Sequence, residues 1–380
     1  MLKIGNICKF QSGGTPSKKN PEYYNGNIPW ITTVSLIDNY IDENNAVEYI
    51  TSEAIKNSAA KIVPKDSIMI GTRVGIGKTA INCVEMSTSQ DIVSLIDIDE
   101  NRWNKCFLCL FFKSKKKYLL SQSRGATIKG IKIDTISNLE LPTYSIDEQK
   151  EIVSTLDTLQ SIITHRRTQI EKLDLLVKAR FVEMFGDCEK NIRLGDCCEV
   201  HARIGWQALT RDEHMQTGEY MLVTGTDFIN GRVNYDTCVY VAKERFDMDP
   251  HIILKENDVL ITKDGSIGKV AVVHNLPKPA TLNGGIFVVR PDDKFNKEYI
   301  SYVFKGPLFE RFVDLSKTGA TIKHLNQKHL VEFTIPLPSI EKQNLFAVFS
   351  NQIDKSKIAV QKTLDEAQLL FDSLMQEYFG

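Results

Sequence analysis

The sequence predicts an α+β chain in which two mixed α/β domains are separated by two long antiparallel coiled-coil helices, with an internal pseudo-two-fold duplication. Two observations predict it: a repeat whose period is about half of the 380 residues, and heptads that persist for about 40 residues in each copy. The predicted parts are a first mixed domain at 1–144, a central helical spacer at 145–188, a second mixed domain at 189–338 and a C-terminal helical spacer at 339–380.

The repeat is clearest in its second half. The segment Gly125–Lys129 recurs letter for letter as Gly319–Lys323, an offset of 194 residues. A period this long indicates a duplicated pair of domains and not a solenoid, whose repeats are about 20–50 residues. The other repeated features are Asp66 to Ile70 with Asp258 to Thr262, Gln149 with Gln343, and Phe185-Gly186 with Phe379-Gly380.

The two globular parts contain short β-branched and aromatic runs that are broken by Gly, Asn, Asp and Pro. This pattern is typical of strands joined by long loops, with a few helices. The clearest predicted strands are Ser67 to Ile70, Ile92 to Ile96, Val259 to Thr262 and Ile286 to Val289.

The two spacers lack Pro and carry apolar residues at alternating steps of four and three. Mean helices have about 11–12 residues, so an ordinary core helix does not explain two 40-residue heptad segments. We expect each helix to pack antiparallel on its duplicate, because a globular domain lies between them in the sequence. A Ser145-x-x-Glu148 capping box predicts where the first helix begins. The predicted seam residues are Ile152, Leu156, Leu159, Ile163, Ile170, Leu173, Val177, Met184, Phe346, Ile353, Val360, Leu364, Phe371 and Leu374.

Composition and charge place the chain among ordinary soluble proteins. Hydrophobic residues make up 42% and charged residues 25%, the net charge is −1, and no run approaches the roughly 20 apolar residues of a membrane span. We therefore expect a cytoplasmic protein without membrane contact, whose eight cysteines are buried free thiols. The first mixed domain is net positive and the helices are net negative. Nucleic acid, if bound, is thus expected on the globular domains.

Several segments resemble enzyme motifs without completing them. Residues 71–79 resemble a P-loop, but Gly71 leaves five residues before Gly77-Lys78 where the motif needs four. We interpret the segment as a strand followed by a glycine-permitted turn. The Cys106/Cys109 pair lacks a second pair at zinc-knuckle spacing. No complete catalytic or metal constellation is predicted.

The start of each long helix carries a more specific signal. Leu141-Pro142 precedes Ser145-Ile146 and Glu148-Gln149, and Leu337-Pro338 precedes Ser339-Ile340 and Gln343. Together with the duplication and the repeated Gly-Ala-Thr-Ile-Lys, this pattern resembles the specificity (S) subunit of Type I restriction–modification systems over the whole chain. One local departure is Lys342 at the place of Glu148.

The resemblance implies a non-catalytic, sequence-specific DNA-binding subunit. Each mixed domain would be a target recognition domain that reads one half of a bipartite, asymmetric target in double-stranded DNA. The helices would carry two adenine methyltransferase subunits, and restriction (translocase/nuclease) subunits would complete the complex. The chain itself would need no cofactor, while S-adenosylmethionine would bind to the methyltransferase subunits.

Candidate DNA-binding residues are polar or basic side chains on loops near glycines, because base edges are read by such groups. Since an identical pentapeptide cannot read two different half-sites, Thr127, Lys129 and their duplicates are expected to contact phosphate or pack on a helix. The full set is Ser12, Thr15, Lys18, Lys19, Arg73, Lys78, Gln90, Thr127 and Lys129 in the first domain, and Arg203, Gln207, Lys263, Lys269, Asn283, Thr321 and Lys323 in the second.

Two other classes of function remain open on the residues alone. The first is a non-catalytic coiled-coil adaptor that displays two protein-binding domains and has no DNA role. The second is a lone enzyme, which predicts cofactor or nucleotide binding by the isolated chain. Salt-dependent binding to duplex DNA separates the specificity subunit from both.

Overall fold

The structure is a computed structural model that describes residues 2–123, 130–205, 209–229, 231–318 and 325–380. The chain divides into two compact units. Unit 1 comprises Met1–Thr168 and Gln361–Gly380, and unit 2 comprises Gln169–Val360. Each long helix therefore contributes residues to both units. In the part of the chain that the structure describes, no helix is long and apolar enough to cross a membrane.

Unit 1 is built around two small sheets. One has the strand order β2-β10-β7-β8-β4 and the other β5-β3-β9-β6, while β1 pairs with β11. The strands are β1 Leu2–Lys3, β2 Lys9–Ser12, β3 Ile28–Ile31, β4 Tyr40–Ile41, β5 Glu48–Ile50, β6 Ile62–Val63, β7 Ile68–Gly71, β8 Thr79–Asn82, β9 Met86–Thr88, β10 Ile92–Ile96 and β11 Glu140–Leu141. The helices are α1 Ser52–Lys56, α2 Lys105–Ser114, α3 Lys116–Ser121, α4 Ile133–Ser137 and the start of α5 Ile146–Phe185.

Unit 2 repeats this plan. Its sheets have the orders β13-β21-β18-β19-β16-β15 and β17-β14-β20, and β12 pairs with β22. The strands are β12 Asn191–Arg193, β13 Cys198–Ala202, β14 Tyr220–Val223, β15 Phe228–Ile229, β16 Arg232–Val233, β17 Val239–Val241, β18 Val259–Thr262, β19 Val270–Val272, β20 Ala280–Leu282, β21 Ile286–Pro291 and β22 Thr334–Pro336. The helices are α6 Lys243–Asp247, α7 Lys297–Lys305, α8 Pro307–Thr318, α9 Gln327–Val331 and α10 Ile340–Phe379.

The strands that the sequence predicted are present to within one or two residues. The short buried runs became β7, β10, β18 and β21, which are the inner strands of the two larger sheets. Because both faces of these strands are covered, they appear in the sequence as continuous apolar runs and not as alternating ones. The predicted α+β fold class with a duplicated plan is confirmed.

The long helices bury the heptad seam. In unit 1 the first part of α5 packs with the last part of α10, and in unit 2 the last part of α5 packs with the first part of α10, so the helices run antiparallel within each unit. Every predicted seam residue is buried or partly buried, and so are the polar breaks Arg166, Arg180, Ser350 and Lys357. The Lys357 ammonium donates to Asp174 Oδ1 at 2.5 Å, so the lysine charge at the edge of the seam is paired.

The repeated Phe-Gly pair marks where each long helix ends against a globular core. The Phe379 ring lies 5.0 Å from Phe107 of α2, and the Phe185 ring lies 4.8 Å from Tyr299 of α7. Phe185 and Phe379 are 3% and 2% exposed. Each helix C-terminus is therefore anchored by one buried aromatic ring, which explains why this pair recurs in the sequence.

The beginning of α5 is fixed by a capping box. Ser145 donates its backbone N–H to Glu148 Oε2 at 2.7 Å, and Glu148 donates its N–H to Ser145 Oγ at 3.3 Å. These hydrogen bonds stabilise the carboxylate and lower the pKa of Glu148. The predicted capping box is confirmed.

A buried glutamine follows each cap. Gln149 is fully buried: its Oε1 accepts the backbone N–H of Asn104 at 2.9 Å, and its Nε2 donates to the carbonyls of Arg102 and Tyr144, both at 3.0 Å. Gln343 makes the same three contacts with Asn296, Lys294 and Pro338 at 2.8, 3.0 and 3.0 Å. One amide thus joins the segment before α2 or α7 to the segment before the long helix.

The eight cysteines are free thiols, as the sequence predicts. Cys109, Cys197 and Cys238 are buried, whereas the other five are only partly so. Burial raises the pKa of Cys109 to about 12, and that thiol is therefore protonated at neutral pH.

We predict that Gln149→Ala destabilises unit 1 by roughly 2–4 kcal/mol, because it leaves one N–H and two carbonyls buried without their partner. Urea unfolding of the chain followed by circular dichroism should show an early transition that the wild type lacks. Gln343→Ala should do the same for unit 2. Gln160→Ala removes an exposed glutamine from the same helix as Gln149 and serves as the control. Equal effects of Gln149→Ala and Gln160→Ala would contradict this role.

Candidate nucleic-acid interface

Several strands of unit 1 end at the same place. Ser12, at the end of β2, pairs with Val93, and Gly71, at the end of β7, pairs with the neighbouring Ile92. The second sheet reaches the same place, because Gly14 donates its N–H to the Thr88 carbonyl at 2.8 Å. We call this group of strand ends and loops, 12–15, 32–37, 72–78 and 89–91, the first rim.

The glycine-rich segment forms a tight hairpin turn on the first rim. Gly75 and Gly77 have φ values of +66° and +79°, which side chains other than glycine rarely adopt. The turn joins the antiparallel strands β7 and β8, whereas a P-loop must open a helix. The interpretation as a turn is therefore confirmed, and a P-loop is excluded.

The turn presents two of the predicted DNA-binding residues to solvent. The Arg73 guanidinium lies 3.8 Å from the Asp91 carboxylate, and both groups are partly exposed. Lys78 is exposed and donates to the Thr33 carbonyl at 3.5 Å. Ser12 and Gln90 are also exposed on this rim. The structure therefore brings together four predicted residues from three segments that are separated in the sequence.

The remaining predictions in unit 1 have a mixed outcome. Thr15 is partly buried, and Lys18 and Lys19 are exposed in the segment after β2, where Lys18 pairs with Glu48 at 3.5 Å. Thr127 and Lys129 lie outside the described residues. Directly after them, Ile131 donates its N–H to the Thr72 carbonyl at 2.8 Å, so the chain rejoins the first rim there.

Unit 2 has an equivalent group of strand ends. Ala202 of β13 and Thr262 of β18 pair with Phe287 and Ile286 at the start of β21. Asn283 donates its N–H to the Val223 carbonyl at 3.0 Å, which brings in β14 and β20. We call this group, 224–226, 263–269 and 283–285, the second rim. Leu325 donates to the Lys263 carbonyl at 2.9 Å and occupies the place of Ile131.

The second rim presents a different set of side chains. Lys269 is exposed, while Lys263 is partly buried with its ammonium 5.5 Å from the Phe287 ring. Asn283 is partly buried, and its Oδ1 accepts the Gly284 N–H at 2.6 Å, which leaves its amide NH₂ to donate. Gln207, Thr321 and Lys323 lie outside the described residues.

Arg203 requires a correction. The sequence predicted a loop residue that reads bases, but Arg203 is 2% exposed and donates to the Leu282 carbonyl at 2.8 Å and to Thr281 Oγ1 at 3.1 Å. Burial and the neighbouring Arg245 lower the pKa of its guanidinium. Arg203 therefore joins β13 to β20 inside unit 2 and cannot present its guanidinium to DNA in this structure.

Sequence reasoning missed the loops that follow β3 and β14. In unit 1 this loop contains Thr33, Val34 and Ile37, and in unit 2 it contains Thr224 and Thr226. Both loops begin where a central strand ends on a rim. Their position directly after an apolar run was the only available signal. Neither rim has the groups of a metal site, since no cluster of three or more His, Cys, Asp or Glu exists among the described residues.

Curated relatives share this length and organisation. The Type I restriction enzyme MjaIX specificity subunit from Methanocaldococcus jannaschii is 26% identical over 408 residues, covering 99% of this chain and 93% of the relative. The MjaVIII specificity subunit from the same organism is 22% identical over 378 residues, covering 93% of this chain and 85% of the relative.

Solved structures show the same fold. The S subunit of a Type I restriction–modification system from M. genitalium aligns over 100% of this chain and 95% of its own, with a TM-score of 0.60 and 17% identity. A chain from a structure describing complex assembly and conformational transition of the type I R-M system aligns over 100% and 96%, with a TM-score of 0.64 and 18% identity.

A family model matches both copies of the repeat. It is described as the Type I restriction modification DNA specificity domain, and it matches residues 1–173 and 188–367. Each match contains one rim and the beginning of one long helix. The chain therefore belongs to the Type I restriction modification DNA specificity family: it is a specificity subunit, a DNA-recognition component and not an enzyme.

Proposed function

We propose that the chain reads a bipartite, asymmetric target in double-stranded DNA, with the first rim reading one half-site and the second rim the other. The observation that carries this proposal is that the two rims are built from equivalent strand ends but differ in side chains. Gly71 and Thr262 each donate to the carbonyl of the lysine that ends the turn, Lys78 or Lys269, at 2.9 Å. The two turns therefore close over the same number of residues, which sets the register between them; the first left-handed glycine is Gly75 in one turn and Gly265, one position earlier, in the other.

Equivalent positions carry opposite chemistry. In this register Arg73 corresponds to Asp264, and Val74 corresponds to Gly265. In the major groove arginine pairs with guanine, whereas an acidic side chain accepts from cytosine. A palindromic target would need like residues at these positions, so this difference supports an asymmetric target. Basic residues such as Lys78 and Lys269, present in both turns, suit phosphate contacts.

The helices supply two equivalent surfaces for a second kind of partner. Leu175 and Leu176 of α5 are 64% and 47% exposed, and their duplicates Leu369 and Leu370 of α10 are 73% and 48% exposed. Exposed leucine pairs are uncommon on a soluble surface and mark protein contacts when they cluster. Two copies of one pair, one in each unit, fit two copies of one subunit.

The family resemblance indicates what this subunit is. In our proposal each leucine pair binds one adenine methyltransferase subunit, which brings S-adenosylmethionine, and restriction subunits complete the larger complex. The specificity subunit itself then needs no cofactor. Methyl transfer by the isolated chain would contradict this proposal.

We predict that Arg73→Ala damages recognition of one half-site and leaves the other intact, while Lys263→Ala does the reverse. Loss of one base contact costs about 1–3 kcal/mol of discrimination. The measurement is genome-wide mapping of methylated adenines in cells that carry each variant with its methyltransferase. If each variant weakens methylation equally at all sequences, the two residues contact only phosphate.

We also predict that Leu369→Ser with Leu370→Ser reduces the complex from two methyltransferase subunits per chain to one, and that Leu175→Ser with Leu176→Ser does the same at the other surface. Removing two buried leucines from an interface costs roughly 2–4 kcal/mol. Light scattering of the purified complex measures the stoichiometry. Ile358→Ser is the matched control, because Ile358 is 60% exposed on α10 but its duplicate is Thr164. Two bound subunits in both double variants would rule out the leucine pairs as the docking surfaces.

A further inference from the structure

In the loop after β3 the usual burial is reversed: polar residues are buried and apolar residues are exposed. Thr33 and Ser35 are 4% and 5% exposed, whereas Val34 and Ile37 are 64% and 68% exposed. The buried Ser35 hydroxyl has no hydrogen-bond partner among the described residues. Both features cost free energy in the isolated chain. Apolar side chains remain exposed to water, and a polar group is removed from water without a hydrogen-bond partner to replace it.

The loop is held in this conformation by the core. Leu36 is 4% exposed and packs in a cluster with Ile31, Ile41 and Met69, while the next residue, Ile37, is turned outward. The Thr33 carbonyl accepts from Lys78 at 3.5 Å, which ties the loop to the glycine turn. A loop that is anchored in a reversed arrangement is typical of a binding surface, since local rules are most often broken at functional sites.

The glycine turn adds a third exposed apolar side chain. Val74 is 56% exposed, while Thr72 and Ile76 on either side of it are buried. Arg73 and Lys78 are exposed in the same turn, and the position that a Gly77 Cβ would occupy lies 3.1 Å from Lys116 Cγ. Exposed branched apolar groups and cations therefore share the first rim, a combination that suits the floor of the DNA major groove between its phosphates.

Unit 2 lacks two of these three apolar groups at the equivalent positions; the third position, six residues beyond β14, carries Ile229, which is 48% exposed. Thr226 lies three residues after the end of β14, which is the position that Val34 occupies after β3. Gly265 lies at the position of Val74 in the glycine turn. Nothing lies within 4 Å of the Cβ position of Gly265. Val34 and Val74 thus occur in one unit only and are not part of the common scaffold.

We infer that Val34, Ile37 and Val74 read thymine through its 5-methyl group. This inference rests on the proposed function and deepens it by naming the base that the first rim selects. In the major groove only thymine among the four bases offers a methyl group, and apolar side chains recognise it by contact. Contact with the thymine methyl group would remove part of the apolar surface of these side chains from water.

The test uses the complex of the full chain with its methyltransferase. The target is first mapped from methylated adenines in the genome, and duplexes are then made in which each thymine of the target is replaced in turn by uracil, which lacks only the methyl group. We expect one or more replacements in a single half-site to weaken binding about three- to tenfold, near the effect of one buried methyl group.

Variants of the first rim connect this effect to the named residues. Val34→Ser, Ile37→Ser and Val74→Ser together remove every methyl group from the three side chains, and this variant should bring the thymine-to-uracil affinity ratio at that base close to one. All three residues are exposed, so the fold should persist, as methylation of other sequences would show. Thr226→Val, at the equivalent position of the second rim, is the matched comparison and should leave this ratio unchanged.

The outcomes separate this inference from the proposal on which it rests. A complex that methylates no specific sequence would overturn both. Specific methylation of a target that contains no thymine, or indifference to every uracil replacement, would overturn the thymine inference alone. A ratio that persists in the Val34→Ser, Ile37→Ser, Val74→Ser variant would also overturn it, since the methyl group would then be read elsewhere.

Discussion

The buried amide of Gln149, together with its duplicate Gln343, is the contact on which the rest of each unit depends. It joins the start of a long helix to the N-terminus of α2 or α7, which pack on the inner strands of the larger sheet. Because the amide uses its acceptor and both donors on backbone groups, it fixes the direction of the long helix as well as its position. The rim loops lie at the ends of those same strands and are therefore held by a rigid base.

Duplication lets one scaffold present two different surfaces. The hydrogen bonds of the glycine turns and the pairing of the strands are repeated in both units, whereas the exposed side chains on them are not. Backbone geometry is carried by glycines and buried apolar residues, so the outward residues are free to change without loss of the fold. The family match to both copies excludes an adaptor without a DNA role.

Local and periodic features were predictable from the sequence. The heptad seam, the Ser145 cap and the inner strands each depend on residues that are close in the chain, so their patterns are complete in the sequence. Arg203 could not be predicted in this way. It follows β13 directly and resembles a surface loop residue, but its partners Thr281 and Leu282 lie almost 80 residues further on.

The sequence by itself determined the duplicated plan, the two long helices and the family, because repeats and periodicity are properties of order along the chain. Only the tertiary structure decided which side chains share a rim, since Ser12, Thr33, Arg73 and Gln90 meet through strand pairing between distant segments. It also decided which residues of a rim point outward. In the loop after β3, Thr33 is buried and Val34 is exposed while Leu36 packs in the core, and such packing is not encoded in the local pattern.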